Sequence, residues 1–292
     1  DRPSFWYCSY AAPHPPITPP GEYLDMYKSI NIDMPYHGEW AETFSDMPYA
    51  LKARNNSWSC MDDPEYIRAA RMGFYAQCTY IDHQLRLLVG TLREEGLLDD
   101  TIIMFTCDHG DMLGNHGLWA KPPMFENSAK IPMILVPNAS AENPVHHTVD
   151  NRFAELRDVM PTLLDLCGVD VPETVEGISL VSDERRDSLY CEHYDDEMSM
   201  RMVRKDTYKL IYYATGNRFQ LFDLDNDPHE LQDLSQSTAH QKVKQELTDI
   251  LIGELYGSDL EWIQDGELKG LPDLEYIPSP DYGLCGQRGW RF

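Results

Sequence analysis

Thr101-Ile102-Ile103-Met104-Phe105-Thr106-Cys107-Asp108-His109-Gly110-Asp111 is the stretch on which the fold turns. Its first six residues are dominated by apolar strand formers, the pattern of a strand buried on both faces of a parallel sheet. The strand then breaks into a carboxylate, an imidazole and a glycine. In open α/β sheets ligands bind just beyond the carboxyl ends of strands, so Asp108 and His109 stand where a site is expected. Gly110 permits the sharp turn that lets two adjacent side chains reach one divalent cation. The carboxylate favours Ca²⁺ or Mg²⁺, and the imidazole widens the choice towards Mn²⁺ or Zn²⁺. Two ligands do not complete a shell, so the others must come from elsewhere.

Working outward, Ile131-Pro132-Met133-Ile134-Leu135-Val136 reads as a second strand of the same kind, its proline at the tolerated first turn. Upstream, Ile67, Ala70, Phe74, Cys78, Ile81, Leu85, Leu88 and Leu92 recur at steps of three and four. They predict one apolar face of a long helix, capped by Asp62 or Asp63, with Pro64 in its first turn and Gly96 at its end. Leu156 to Cys167, closed by Gly168, predicts another helix. This alternation indicates an α/β domain over residues 1–183. Beyond the charged run Asp183–Asp187, strands are predicted at 188–194, 208–213 and 219–224, then a helix at about 240–256. That order suggests a small α+β subdomain with an antiparallel sheet over residues 184–292, its last 30 residues wrapping as coil.

At the front, Ser4 to Tyr10 reads as a buried strand, so the sequence reads as part of a longer protein. Five prolines between Pro13 and Pro20 make a rigid loop after it. Residues 33–63 are polar and aromatic without a period, and their Tyr and Trp side chains either line a cleft or pack over the core.

The 292 residues carry 24 Lys and Arg against 49 Asp and Glu, a net charge of −25. That balance argues against nucleic acid or an anionic membrane as partner. With 42% hydrophobic and 11% aromatic residues the chain has enough apolar material for a core. No apolar run approaches the roughly 18–20 residues that cross a bilayer. The seven cysteines are odd in number and include no CxxC pair. A reduced, cytoplasmic-type compartment fits them better than a disulfide framework.

Lys121 lies thirteen residues after Asp108, between Trp119-Ala120 and Pro122. A lysine held there can act as a point charge for an anionic substrate, although a lone lysine is ordinarily a surface residue. His14, locked between Pro13 and Pro15, can donate a hydrogen bond to an oxyanion or leaving group, or simply occupy the loop. His116 either orients a ligand or caps a turn, and Glu126 reads as a structural partner rather than an acid catalyst. Asp195-Asp196-Glu197 reads as a solvated acidic turn rather than a site for a cationic substrate group, and Asp225-Asn226-Asp227-Pro228, like a calcium loop in composition, as a plain turn before a helix.

The run Thr106 to Lys121 resembles the signature of the sulfatase family in the alkaline phosphatase superfamily. Phe125-Glu126 before Ile131-Pro132-Met133-Ile134, the block Ala12-Pro13-His14-Pro15-Pro16, Asp158 to Asp165, Gly177 to Leu180 and Leu221 to Glu230 resemble further family segments, in the family's order. Within the family the Asp-His pair and the Gly-Leu-Trp-x-Lys run are most similar to choline-sulfatase-like and phosphonate-monoester-hydrolase-like members.

The resemblance implies an alkaline-phosphatase-like α/β sandwich lacking its N-terminal part. It implies a small anionic sulfate ester as substrate, Asp108 and His109 as ligands of one divalent metal (Ca²⁺, or Mn²⁺ in relatives), and Lys121 and His14 as sulfate-binding and leaving-group residues. The family nucleophile is a formylglycine made from Cys or Ser in a Cys/Ser-x-Pro-x-Arg motif. No Cys or Ser here stands in that motif, and the paired aspartates that complete the metal shell are also absent. The resemblance therefore implies the C-terminal portion of a sulfatase, inactive without its N-terminal remainder. Phosphonate or phosphate ester hydrolysis on the same scaffold is the alternative, and a non-catalytic binding chain is a third reading.

Overall fold

The computed structural model describes residues 3–55, 63–121, 124–139, 148–278 and 287–288. The helices are α1 (Gly21–Tyr27), α2 (Tyr49–Asn55), α3 (Pro64–Glu94), α4 (Glu126–Ala129), α5 (Val159–Leu166) and α6 (Gln241–Glu254). The strands are β1 (Ile103–Thr106), β2 (Met133–Val136), β3 (Ser188–His193), β4 (Met200–Lys205), β5 (Tyr208–Tyr213), β6 (Arg218–Asp223), β7 (Ile263–Gln264) and β8 (Glu267–Leu268). Two compact units form, one from residues 1–35, 57–98 and 280–292, the other from 36–56 and 99–279.

In the first unit α3 starts as its sequence dictates. Asp63 caps it, accepting from Glu65 N at 2.9 Å, Pro64 fills the first turn, and Gly96 follows its end at φ 69°. The face it buries differs from the predicted one. Met72 and Ala76 pack on Leu24 and Ile32, Tyr27 Oη meets Thr79 Oγ1 at 2.6 Å, and Arg71 pairs with Asp33. Of the predicted stripe, Ala70 is buried, but Cys78 and Leu88 are exposed and the rest half-covered. The reason is length: seven residues of α1 span about 10 Å, whereas the 31 of α3 span about 46 Å. Residues 3–10 also depart from expectation. They form no strand, and Phe5, Trp6 and Tyr7 are about 80% exposed. No described segment offers them a ladder, and a lone apolar segment cannot satisfy its backbone as a strand.

In the second unit, β3 to β6 form an antiparallel meander in sequential order. Alternation along β5 sorts its two faces. Leu210 and Tyr212 face α6, packing with Leu247, Leu251 and Leu255. Ile211 and Tyr213 face the other way, onto Leu51, Met112, Leu118 and Phe125. The sequence reading missed β4 because three of its six residues are cationic. Each is paired: Arg201 with Asp259 at 2.7 Å, Arg204 with Glu126 at 3.6 Å and Lys205 with Glu246 at 2.5 Å. The β7–β8 hairpin turns through Asp265 and Gly266, both at positive φ, as a two-residue turn requires.

Strands β1 and β2 pair antiparallel, Ile103 opposite Val136 and Thr106 opposite Met133. This corrects the parallel expectation. A continuous apolar run carries no direction. The connection between the strands closes on itself, Gly110 N donating to Ser128 O at 2.8 Å, and so returns the chain beside β1. Neither strand is buried on both faces among the described residues, and Ile134 is 53% exposed.

Residue 184, the expected boundary, lies inside the second unit. There Arg186 clamps the buried Asp158 through Nη1 at 2.5 Å and Nη2 at 2.7 Å. Two of the quoted segments meet at this point. Ile178 N donates to Asp158 Oδ1 and Leu180 N to Thr162 Oγ1. A Cβ on Gly177 would stand 1.9 Å from Arg157 O, so only glycine allows the approach.

Candidate metal and anion site

Strand β1 ends at Thr106 and delivers Asp108 and His109 into a tight turn. Gly110 is obligatory there, since a Cβ would come 2.0 Å from Asn127 O. The Asp108 carboxylate is exposed and accepts from His109 N at 3.0 Å. His109 Nδ1 lies 2.8 Å from Gly110 O. A carbonyl only accepts, so Nδ1 carries a proton, and in the neutral ring Nε2 then holds the lone pair. That Nε2 stands 3.3 Å from Asp108 Oδ2. Two lone-pair atoms at this spacing suit neighbouring positions in one coordination shell, and a backbone carbonyl fixing the far ring nitrogen is how a ligating imidazole is held. The donor set therefore fits a divalent cation. Among the described residues no group of three or more His, Cys, Asp or Glu side chains gathers.

The loop after them folds back on itself. Asp111 Oδ1 accepts from Leu113 N at 3.0 Å and Ala120 N at 3.2 Å. Met112 N donates to Ala120 O and Gly114 N to Leu118 O, both at 2.9 Å. Leu113, His116 and Ala120 are held at φ of 48°, 57° and 66°, a strained region for these residues that only such over-determination sustains. Lys121 follows directly, its side chain exposed and its carbonyl accepting from Ser128 Oγ at 2.6 Å. The second unit thus carries Asp108, His109 and Lys121 on one closed loop. His14 belongs to the first unit, exposed, with Nδ1 2.6 Å from Pro15 O.

His116 is fully buried. Trp40, Tyr36 and Phe125 enclose its ring at centroid distances of 4.8, 5.1 and 5.4 Å. Its Nδ1 accepts from Gly38 N at 3.0 Å. Burial, with His37 nearby, pushes its pKa from 6.5 down to about 4. It is a neutral wedge under the loop, and Trp40, stacked on Phe125, packs over the core rather than lining a cleft.

Beneath the loop lies the arrangement that the sequence reading missed. Lys209, on the same face of β5 as Ile211, is fully buried. Its Nζ reaches Glu126 Oε1 at 2.5 Å, Glu230 Oε1 at 2.9 Å and Met124 O at 3.1 Å. Glu230 Oε2 in turn accepts from Glu126 N at 2.7 Å. Burial pushes the Glu230 carboxyl up against the pull of Lys209. Burial also acts upward on Glu126, but Lys209 and Arg204 hold it below the usual range. Glu126 is the structural partner expected. The acidic turn 225–228 is likewise local: Asp223 Oδ1 accepts from Asp225 N, and Asp227 Oδ2 from Gln232 N.

The Sulfatase family profile matches residues 1–169, more than half of the chain. The chain belongs to the sulfatase family. A second profile, N-sulphoglucosamine sulphohydrolase, C-terminal, matches residues 114–255 of this family member. It is 34% identical to an arylsulfatase of Clostridium perfringens over 93% of its own length and 57% of the relative's. It is 31% identical to a choline-sulfatase of Rhizobium meliloti over 81% of its length and 47% of the relative's. The chain thus spans about half the length of these curated relatives. The crystal structure of the phosphonate monoester hydrolase of Agrobacterium radiobacter superposes with a TM-score of 0.73 at 25% identity, covering 87% of this chain and 56% of that one. The fold is the alkaline-phosphatase-like α/β fold expected, followed by the antiparallel meander.

Replacing Lys209 with Met should cost about 3–5 kcal/mol in chemical denaturation, because two buried carboxylates lose their shared cation. The His116 ring is neutral when folded, so its contribution is fully present above pH 6.5 and is lost as pH falls towards 4. Stability should fall by about 3 kcal/mol across that window. His116→Asn, which tolerates the left-handed backbone and can still accept from Gly38 N, should flatten the pH dependence.

Proposed function

We propose that this chain is part of a metal-dependent sulfatase that hydrolyses sulfate monoesters. The observation that carries the reading is the Asp108–His109 pair, its Oδ2 and Nε2 atoms presented 3.3 Å apart with the imidazole tautomer fixed by Gly110 O, in a chain of this family. Asp108 and His109 would hold one divalent cation, Ca²⁺ or Mn²⁺, which when bound withdraws charge from the oxygens of the ester. Lys121, carried next to the strained Ala120, supplies a fixed positive charge to the same anion. The resemblance assigns His14 to the departing oxygen; with Nδ1–H tied to Pro15 O, its Nε2 donates there in the imidazolium form. The attacking group is a formylglycine from outside this sequence, so the chain by itself is inactive and works with the N-terminal remainder of its domain.

A second reading is hydrolysis of phosphonate or phosphate esters, favoured by the likeness to the phosphonate monoester hydrolase. Both substrates are tetrahedral oxyanions, which the same charges would bind. Matched 4-nitrophenyl sulfate and phosphate esters separate the two in the full-length protein. Sulfate release should dominate, and phosphate release alone would reject the first reading. Asp108→Ala should lower both metal content and turnover by at least about 100-fold with an unchanged melting temperature. Full activity in that variant would remove the metal assignment.

A further inference from the structure

The end of α2 and the end of β3 hold polar atoms that the proposed chemistry does not use. Arg54 Nε and His193 Nε2 are both buried and have no hydrogen-bond partner among the described residues. A buried polar atom without a partner is costly, so native structures keep few of them, and each calls for an explanation. The charged groups around the His193 ring are Arg54, Arg201, Asp196 and Lys121. Arg201 is already committed, to Asp259 at 2.7 Å and to the carbonyls of His193 and Tyr194. Neither Arg54 nor Lys121 has an acidic partner within 4 Å among the described residues. That is anomalous in a chain with twice as many acidic as basic residues. Asp196 is the one carboxylate among these groups, so the cations outnumber it, and such an excess of positive charge suits an anion. Burial and then Arg54 push the His193 imidazole below its usual range.

We propose that Arg54 and His193 form an accessory anion subsite beside Lys121, which takes a second anionic group, a carboxylate or sulfate, on the alcohol part of the ester. The inference rests on the sulfatase reading, since Lys121 is assigned there to the scissile group. It narrows the substrate class to sulfate esters whose leaving alcohol is itself anionic. Arg54 supplies the fork that pairs with a carboxylate or sulfate, and His193 Nε2 supplies a second donor from a different element.

The test is calorimetric binding of two non-hydrolysable isosteres to the full-length protein, benzylsulfonate and 4-carboxybenzylsulfonate. The carboxylated ligand should bind at least about tenfold tighter. Arg54→Gln should bring the ratio to within about twofold, Arg54→Lys should recover part of it, and His193→Gln should lower it, all at native melting temperature. Equal binding of the two ligands by the unmodified protein would overturn the subsite, as would a ratio that survives both Arg54→Gln and His193→Gln. Turnover of 4-nitrophenyl sulfate is read separately: none at all, with the binding ratio intact, rejects the hydrolase reading and leaves the subsite standing.

Discussion

One ammonium group holds the second unit's site segment to its sheet. Lys209 rises from the interior face of β5, fully buried, and meets two carboxylates and a carbonyl. Desolvating three charges is costly, and the arrangement is tolerable only because Glu230 also accepts the Glu126 amide and Arg204 adds its charge. Residues 124–126, the 230 turn and the meander are thereby fixed to one another. Glu126 opens α4, whose Ser128 closes the loop by bonding Lys121 O and accepting from Gly110 N. The Lys209 salt bridges thus determine where the loop carrying Asp108 and His109 is anchored.

The loop itself stores strain. Three non-glycine residues sit at positive φ between Asp111 and Lys121, and a buried neutral histidine props them from beneath. Such a loop would relax if it were free. The Asp111 carboxylate, the two backbone pairs within the loop and the aromatic packing of Trp40 and Phe125 hold it in one conformation. The Lys121 backbone and the His109 ring are thereby pre-oriented, and groups held in one conformation lose little entropy on binding.

Much of this was legible in the residues. The α3 cap, the end of α3 at Gly96, the strand ends and the α6 helix follow from local rules, because capping, left-handed glycines and alternation are decided within a few residues. The turn carrying Asp108 and His109 was legible for the same reason: a strand, then Asp-His-Gly, is a local event. Lys209 was not legible, since a lysine in Tyr-Lys-Leu-Ile-Tyr-Tyr looks like the polar side of an amphipathic strand until its partners, 83 residues before it and 21 after it, are brought in. Strand β4 was hidden likewise, because its cations read as loop until Asp259, Glu126 and Glu246 are seen opposite them.

By itself the sequence determined the family and the α/β-then-antiparallel order, because those depend on residue type and short spacing. Only the tertiary structure decided that β2 runs against β1, that α3 buries the line through Met72 and Ala76, and that Arg54 comes to His193. Direction, face and long-range pairing are set by which distant segments compete to cover the same apolar surface and neutralise the same charge, and neither composition nor periodicity encodes that choice.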